Sequence, residues 1–255
     1  MQVSKIQYVS DLHLEFPENS DFLKANPLLP NGDILILAGD IVPFAVMDKH
    51  QDFFSYLADN FEFTYWIPGN HEYYYFDAAD KSGVLWEKIR ANVILLNNTV
   101  VQLQETKLIF STLWSKISPA NQWNVESGLS DFHVIKYKGN RLTSEVYNQL
   151  HADSMNFINQ ELLLENQGKT VMVTHHVPTF KNYPKIYKGS KINEGFAVEL
   201  FDIIEASSVD YWIYGHSHHN TADFKIGNTQ MLTNQLGYVQ RNENKLFNPD
   251  KNIII

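Results

Sequence analysis

The chain begins with apolar runs that stop abruptly at polar residues. "KIQYVS" (5–10) is strand-like and ends in "DLHLE". "DILILAGD" (33–40) is nearly all apolar until Gly39 and Asp40, the pattern of a strand covered on both faces. "FTYWIPGNHE" (63–72) repeats the theme, a strand running into a turn. Residues 48–61 place Phe53, Phe54 and Leu57 on one side of a helix. Residues 77–91, "DAADKSGVLWEKIRA", read as a further helix despite Gly83. The runs 93–96, 99–103 and 107–112 read as short strands.

The second half opens with residues 113–142, which show no clear period and read as a long irregular loop. The longest helical pattern follows at 144–166, with Thr143 or Ser144 as its N-cap. Residues 170–176, 209–219, 221–226 and 229–234 are strand-like, and 196–207 read as a helix. Alternating strands and helices, with extra consecutive strands, predict an α/β fold. No repeat, low-complexity segment or linker interrupts it, so one domain over residues 1–255 is expected.

Composition narrows the chemistry. With no cysteine there is no disulfide framework, thiolate zinc site or cysteine nucleophile. Any metal is left to His, Asp, Glu, Asn or backbone oxygen. The formal net charge of −9 argues against a broad, sequence-independent grip on nucleic acid, so no stable nucleic-acid partner is expected. It does not exclude an enzyme acting on a nucleotide, because bound cations reverse the local sign. No apolar run approaches a membrane span, and the first residues read as a strand and not as a signal peptide. The expectation is a soluble, cytoplasmic protein without a membrane partner.

Polar residues of one kind recur where the strands stop: Asp11 and His13; Asp40; Asn70 and His71; His175 and His176; His216, His218 and His219. In open α/β sheets, ligands bind beyond the carboxyl ends of the strands. On an extended chain, alternate residues share a side at a separation of ~6.5 Å. Two cations of a hydrolytic pair sit about 3.5–4 Å apart. Asp11 with His13, and His216 with His218, could therefore share one metal or straddle two. Asp40, at the tip of a buried strand, is a costly carboxylate unless cations stabilise it.

In order, "DLHLE", "AGD", "GNHE", "THH" and "GHSH" resemble the motifs of the calcineurin-like metallophosphoesterases, across residues 11–218. The resemblance implies a four-layer αββα sandwich of two mixed sheets flanked by helices. It implies two divalent metal ions, with Asp11, His13 and His218 on the first, Asn70, His175 and His216 on the second, and Asp40 bridging both. His175 is preferred to His176 because the family pattern places the ligand first. His71 is left as the unligated histidine, a general acid or transition-state stabiliser. The implied reaction is hydrolysis of a small phosphate ester or nucleotide, with a phosphodiester favoured, by in-line attack of a hydroxide formed on the metals. Manganese, iron, zinc or cobalt suit such a mixed site.

Departures refine this. The "DRG" and following arginine of the protein serine/threonine phosphatases are missing, which ranks that activity low. "SDLHL" is shared with lipid-A precursor pyrophosphatases, but no membrane-binding helix is evident. The alternatives are a non-catalytic metal-binding scaffold of the same fold or, among enzymes, a phosphomonoesterase or nucleotide pyrophosphatase. His50, His133 and His151 read as ordinary histidines, and His176 and His219 receive no role. Glu72 is read as orienting the "GNHE" turn, and Tyr73 as close enough to His71 to touch substrate. Residues 113–142 and 178–195 are expected to wall the site. Lys181, Lys185, Lys188 and Lys191 are expected to form a solvated basic loop.

Overall fold

Two six-stranded mixed sheets form the centre of the protein in the computed structural model, which describes residues 5–255. The first contains β1 (Lys5–Val9), β2 (Ile34–Ala38), β3 (Phe63–Ile67), β4 (Leu85–Arg90), β5 (Val93–Asn97) and, from the end of the chain, β14 (Asn252–Ile254). Its order is β14-β1-β2-β3-β5-β4, parallel at the centre with antiparallel edges. The second contains β6 (Thr99–Leu103), β7 (Thr106–Ser111), β10 (Thr170–Thr174), β11 (Tyr211–Ile213), β12 (Phe224–Ile226) and β13 (Thr229–Leu232). Its order is β12-β13-β11-β10-β7-β6, again parallel within and antiparallel at both edges. The remaining strands, β8 (Lys136–Tyr137) and β9 (Asn140–Arg141), pair with each other, and Lys136 also bridges to Asp77.

The apolar runs are explained by burial on two faces. In β2, Ile34, Ile36 and Ala38 meet Leu108, Phe110, Val171 and Val173 of the opposite sheet. Leu35 and Leu37 face outward into a cluster with Phe54 and Leu57 of α2 (Gln51–Asn60) and Leu23 of α1 (Pro17–Ala25). In β10, Val171 and Val173 face the first sheet, while Met172 packs with Ile158 of α5 (Ser144–Leu162) and Ile204 of α6 (Phe201–Ala206). Helix, sheet, sheet and helix are thus the four layers, as the motif resemblance implies.

Several expected elements differ. Residues 77–91 are not a helix but a single helical turn, Ala78–Asp80, followed by β4 antiparallel to β5. Leu85 and Ile89 face the outer core at a spacing that suits either period, and the open edge of β5 decides. Residues 113–142 contain α3 (Gln122–Gly128), α4 (Asp131–Val134) and the β8–β9 hairpin. There Trp114, Ile117, Val125 and Phe132 pack around Tyr147 of α5, contacts too distant in sequence to leave a period. Helix α5 is capped by Thr143, whose Oγ1 accepts from Val146 N at 3.3 Å, and it stops at Leu162. Only Phe201–Ala206 of the run 196–207 is helical, and the strand expected over 209–219 ends at Ile213. Helix α1 and strand β14 were not anticipated. Among the described residues, no helix is long and apolar enough to cross a membrane.

Candidate active site

The loops that leave β1, β2, β3, β10 and β11 bring the polar strand ends together. Ligand atoms of Asp11, His13, Asp40 and His218 lie within 4.8 Å of one another, and so do those of Asp40, His175 and His216. Asp40 is common to both groups. Asn70 joins the second, its Oδ1 lying 3.3 Å from His175 Nε2.

The reason for the two-residue spacing is not the expected one. Asp11, His13, Asp40, His216 and His218 all follow the end of a strand, and all have left-handed backbones, with φ of 56°, 49°, 56°, 73° and 49°. The chain is therefore curled, not extended, where these side chains leave it. Such conformations cost of order 1–3 kcal/mol each and cluster at functional sites. Two glycines make room for this around Asp40. Gly39 itself has φ +89°, and a Cβ on Gly69 would lie 2.2 Å from Asp40 Oδ1 and 2.6 Å from His175 Nε2.

Each histidine has one ring nitrogen bonded outward. His13 Nδ1 donates to Glu15 Oε1 (3.1 Å), His218 Nδ1 to Glu243 Oε2 (2.8 Å), and His175 Nδ1 to Ala38 O (2.9 Å). His216 Nε2 lies 3.4 Å from Gly195 O. The other nitrogens meet inside: His13 Nε2 is 2.9 Å from His218 Nε2, and His175 Nε2 is 3.0 Å from His216 Nδ1. When the rings are neutral, with their N–H groups occupied outside, lone pairs face lone pairs around the Asp40 carboxylate, an arrangement that fits a cation between each pair. Backbone donors hold the carboxylates: His216 N reaches Asp11 Oδ1 at 3.0 Å, and His71 N reaches Asp40 Oδ1 at 2.9 Å.

The protein by itself balances this cluster with protons. Burial opposes ionisation of Asp40, but the neighbouring His175 and His71 outweigh it and hold its carboxyl well below the usual range. Burial likewise opposes the charge on His175, yet Asp40 raises it to about 9. For His218, hydrogen bonds to Asp11 and Glu243 overcome burial and raise it to about 10. His13 and His216 are pushed down, chiefly by burial.

His71 stands beside both groups. Its Nδ1 donates to Glu15 Oε1 at 2.8 Å, and its ring stacks on Tyr74, with centroids 4.0 Å apart and planes at 23°. Its Nε2 lies 3.4 Å from the Tyr238 hydroxyl. The residue opens onto a cleft of about 440 Å³ that Asp40, Asn70, His216 and His218 also line. Residues 113–142 contribute Gly128 to Asp131 to its wall, and 178–195 contribute Tyr183, Tyr187, Ser190, Ile192 and Asn193. The lysines of that second segment are exposed, and none lines the cleft.

Other residues fall outside it. His176 is buried, with Nε2 3.0 Å from the Tyr147 hydroxyl, and His219 is exposed. His50, His133 and His151 do not line the cleft. Tyr73 is wholly buried and donates to Lys81 O, so Tyr74 takes the wall position expected of it. Reading the sequence alone missed Glu15, Asp131, Tyr238, Arg241 and Glu243. Glu15 had a signal, two residues beyond His13 in "DLHLE", whereas the others lie in segments without a motif. Among the described residues that line the cleft, Arg241 is the one lysine or arginine, and its guanidinium lies 5.0 Å from the Tyr238 ring centroid.

Comparison with known proteins agrees with this architecture. The family model for calcineurin-like phosphoesterases matches residues 4–220. The chain is 34% identical over 273 aligned positions to an uncharacterized protein of Acanthamoeba polyphaga mimivirus, covering 96% of this chain and 94% of that one. It is 23% identical over 227 positions to a 3',5'-cyclic-nucleotide phosphodiesterase of Nostoc sp., covering 84% and 71%. Phosphopantetheinyl hydrolase from Mycobacterium tuberculosis has a similar fold, with a TM-score of 0.73, 15% identity, and coverage of 98% and 96%.

Proposed function

We propose that this chain, which belongs to the calcineurin-like phosphoesterase family, hydrolyses a small phosphodiester or nucleotide with two divalent cations. The observation that carries this reading is the pair of donor groups sharing Asp40, with imidazole lone pairs turned inward and His71 beside them. Asp11, His13 and His218 would hold one cation, Asn70, His175 and His216 the other, and Asp40 both. Bound there, the cations supply positive charge against phosphoryl oxygens and an acidified water, with a pKa brought to about 7.

The protein's own groups do the rest. Glu15 holds the His71 Nδ1 proton, which leaves Nε2 as the atom that exchanges a proton with the leaving oxygen. Such transfer contributes about 10²–10⁴-fold. Tyr74 and Tyr238 fix the imidazole plane between them. Arg241 offers a cation to substrate oxygens, and Tyr183, Tyr187 and Phe196 give the organic portion an aromatic wall. The activity named for the Nostoc relative supports a diester over a monoester.

A screen of phosphate mono- and diesters, including cyclic nucleotides, with manganese added is the test. Metal-dependent diester hydrolysis is expected. Two metals bound without hydrolysis of any ester would favour the scaffold reading instead.

A further inference from the structure

We propose that Asp131 is a positioning residue of this site, acting through Asn70 and Tyr74 at once; this rests on Asn70 being a metal ligand, as proposed above. Asp131 opens α4, in the stretch where the sequence offered no chemistry, and it is 3% exposed. Its Oδ1 accepts from Asn70 Nδ2 at 2.8 Å and from the Tyr74 hydroxyl at 2.9 Å.

An asparagine amide has a donor end and an acceptor end of nearly the same shape, and only the oxygen can face a cation. A carboxylate accepts and does not donate. Facing Asp131, Asn70 must present its NH₂ group, and its oxygen is then turned toward His175 Nε2, 3.3 Å away. The same Asp131 oxygen takes the Tyr74 hydroxyl, and the Tyr74 ring lies against His71 at 4.0 Å. One oxygen thus sets the amide on the metal side and the imidazole plane on the proton-transfer side.

The cost of this arrangement supports a role. Asp131 Oδ2 is buried and has no hydrogen-bond partner among the described residues. A purely structural acceptor could be neutral, whereas a half-satisfied buried carboxylate is unfavourable in apolar surroundings. Cations held through Asn70 and its neighbours would make that charge favourable.

The test is calorimetric titration of the metal-free full chain with Mn²⁺, alongside melting of the metal-free proteins. Asp131→Leu removes the acceptor; it is expected to weaken one of two Mn²⁺ sites by about 10–100-fold and spare the other. Asp131→Asn keeps an acceptor oxygen and is expected to escape that about 10–100-fold loss. Equal losses in both variants would place the effect in the charge and overturn the positioning role. In an Asn70→Ala background, Asp131→Leu should weaken Mn²⁺ binding no further, whereas a merely structural role would add its own loss. Tyr74→Phe, which needs no change at Asp131, should leave both affinities intact and lower kcat at constant KM; an unchanged kcat overturns the Tyr74 half. If the native chain takes up neither Mn²⁺ nor, in parallel titrations, Zn²⁺, Co²⁺ or Fe²⁺, the proposed function fails and this inference with it. If Asp131→Leu binds two equivalents as tightly as the native chain does, this inference alone fails.

Discussion

Glu72 accepts a hydrogen bond from the backbone N–H of Asp40 at 2.9 Å, so the turn after β3 holds the residue at the centre of the site by its main chain. The same carboxylate accepts from Ile41 N, Gly69 N and Trp66 Nε1, at 2.7, 2.7 and 3.1 Å. Burial and the Asp40 charge push its pKa up, and the backbone donors pull the other way. None of the four partners can accept a proton, so the ionised form is the one this geometry holds. Glu72→Ala leaves four buried donors unpaired, at about 1–3 kcal/mol each. Melting temperature and metal content should fall together. A variant that melts with the native chain and keeps its metal would remove Glu72 from this role.

His71→Ala should retain both metals and lose about 10²–10⁴-fold in turnover. The loss should be greatest for esters with poor leaving groups, which depend most on a proton. Glu15→Gln should reproduce part of it, because Glu15 Oε1 fixes the His71 tautomer. Full activity in His71→Ala refutes the assignment.

Asp40→Ala should lose metal as well as activity, since both donor groups include Asp40. Gly69→Ala is expected to do the same with a single methyl group, because its Cβ would lie 2.2 Å from Asp40 Oδ1. Normal metal content in Asp40→Ala would show that the carboxylate does not bridge.

Metal uptake should release protons. In the metal-free protein His175 is raised to about 9 and His218 to about 10, so both are charged at neutral pH. A metal binds only the neutral ring. Apparent affinity should therefore rise with pH and level off above those values. The same two groups stabilise the metal-free fold below the ordinary imidazole range, and that contribution is lost as pH rises through about 9–10. Calorimetry in buffers of different ionisation enthalpy counts the protons; none released at pH 7 would contradict these assignments.

Arg241→Ala should raise KM for anionic esters and leave kcat nearly unchanged, because the side chain lines the cleft and a guanidinium is not a metal ligand. Steady-state kinetics on the best diester would decide, and an unchanged KM would exclude Arg241 from substrate binding.

Much of this site was legible in advance because its chemistry is local. "DLHLE", "AGD", "GNHE", "THH" and "GHSH" each place a ligand-type side chain directly after an apolar strand, and the structure brings all seven candidate ligands together. Glu72 was also legible, three residues after the Gly69 whose N–H it accepts. Residues 77–91 were misread because Leu85 and Ile89 fit two periods, and the choice lay with the free edge of β5.

The order of apolar runs and polar stops determined, without help, an α/β fold and the identity of the clustered side chains; the four layers came from the motif resemblance. A buried strand must be apolar, and a polar group at its tip must find a partner. Only the tertiary structure decided how those side chains are aimed. The left-handed backbones at Asp11, His13, Asp40, His216 and His218 are imposed by tight loops, not by alternation along a strand. Glu15 shares one oxygen between His13 and His71, Asp131 turns Asn70, and Glu243 fixes His218. Two of those partners come from segments with no motif of their own, because a hydrogen bond across the fold leaves no period in the sequence that makes it.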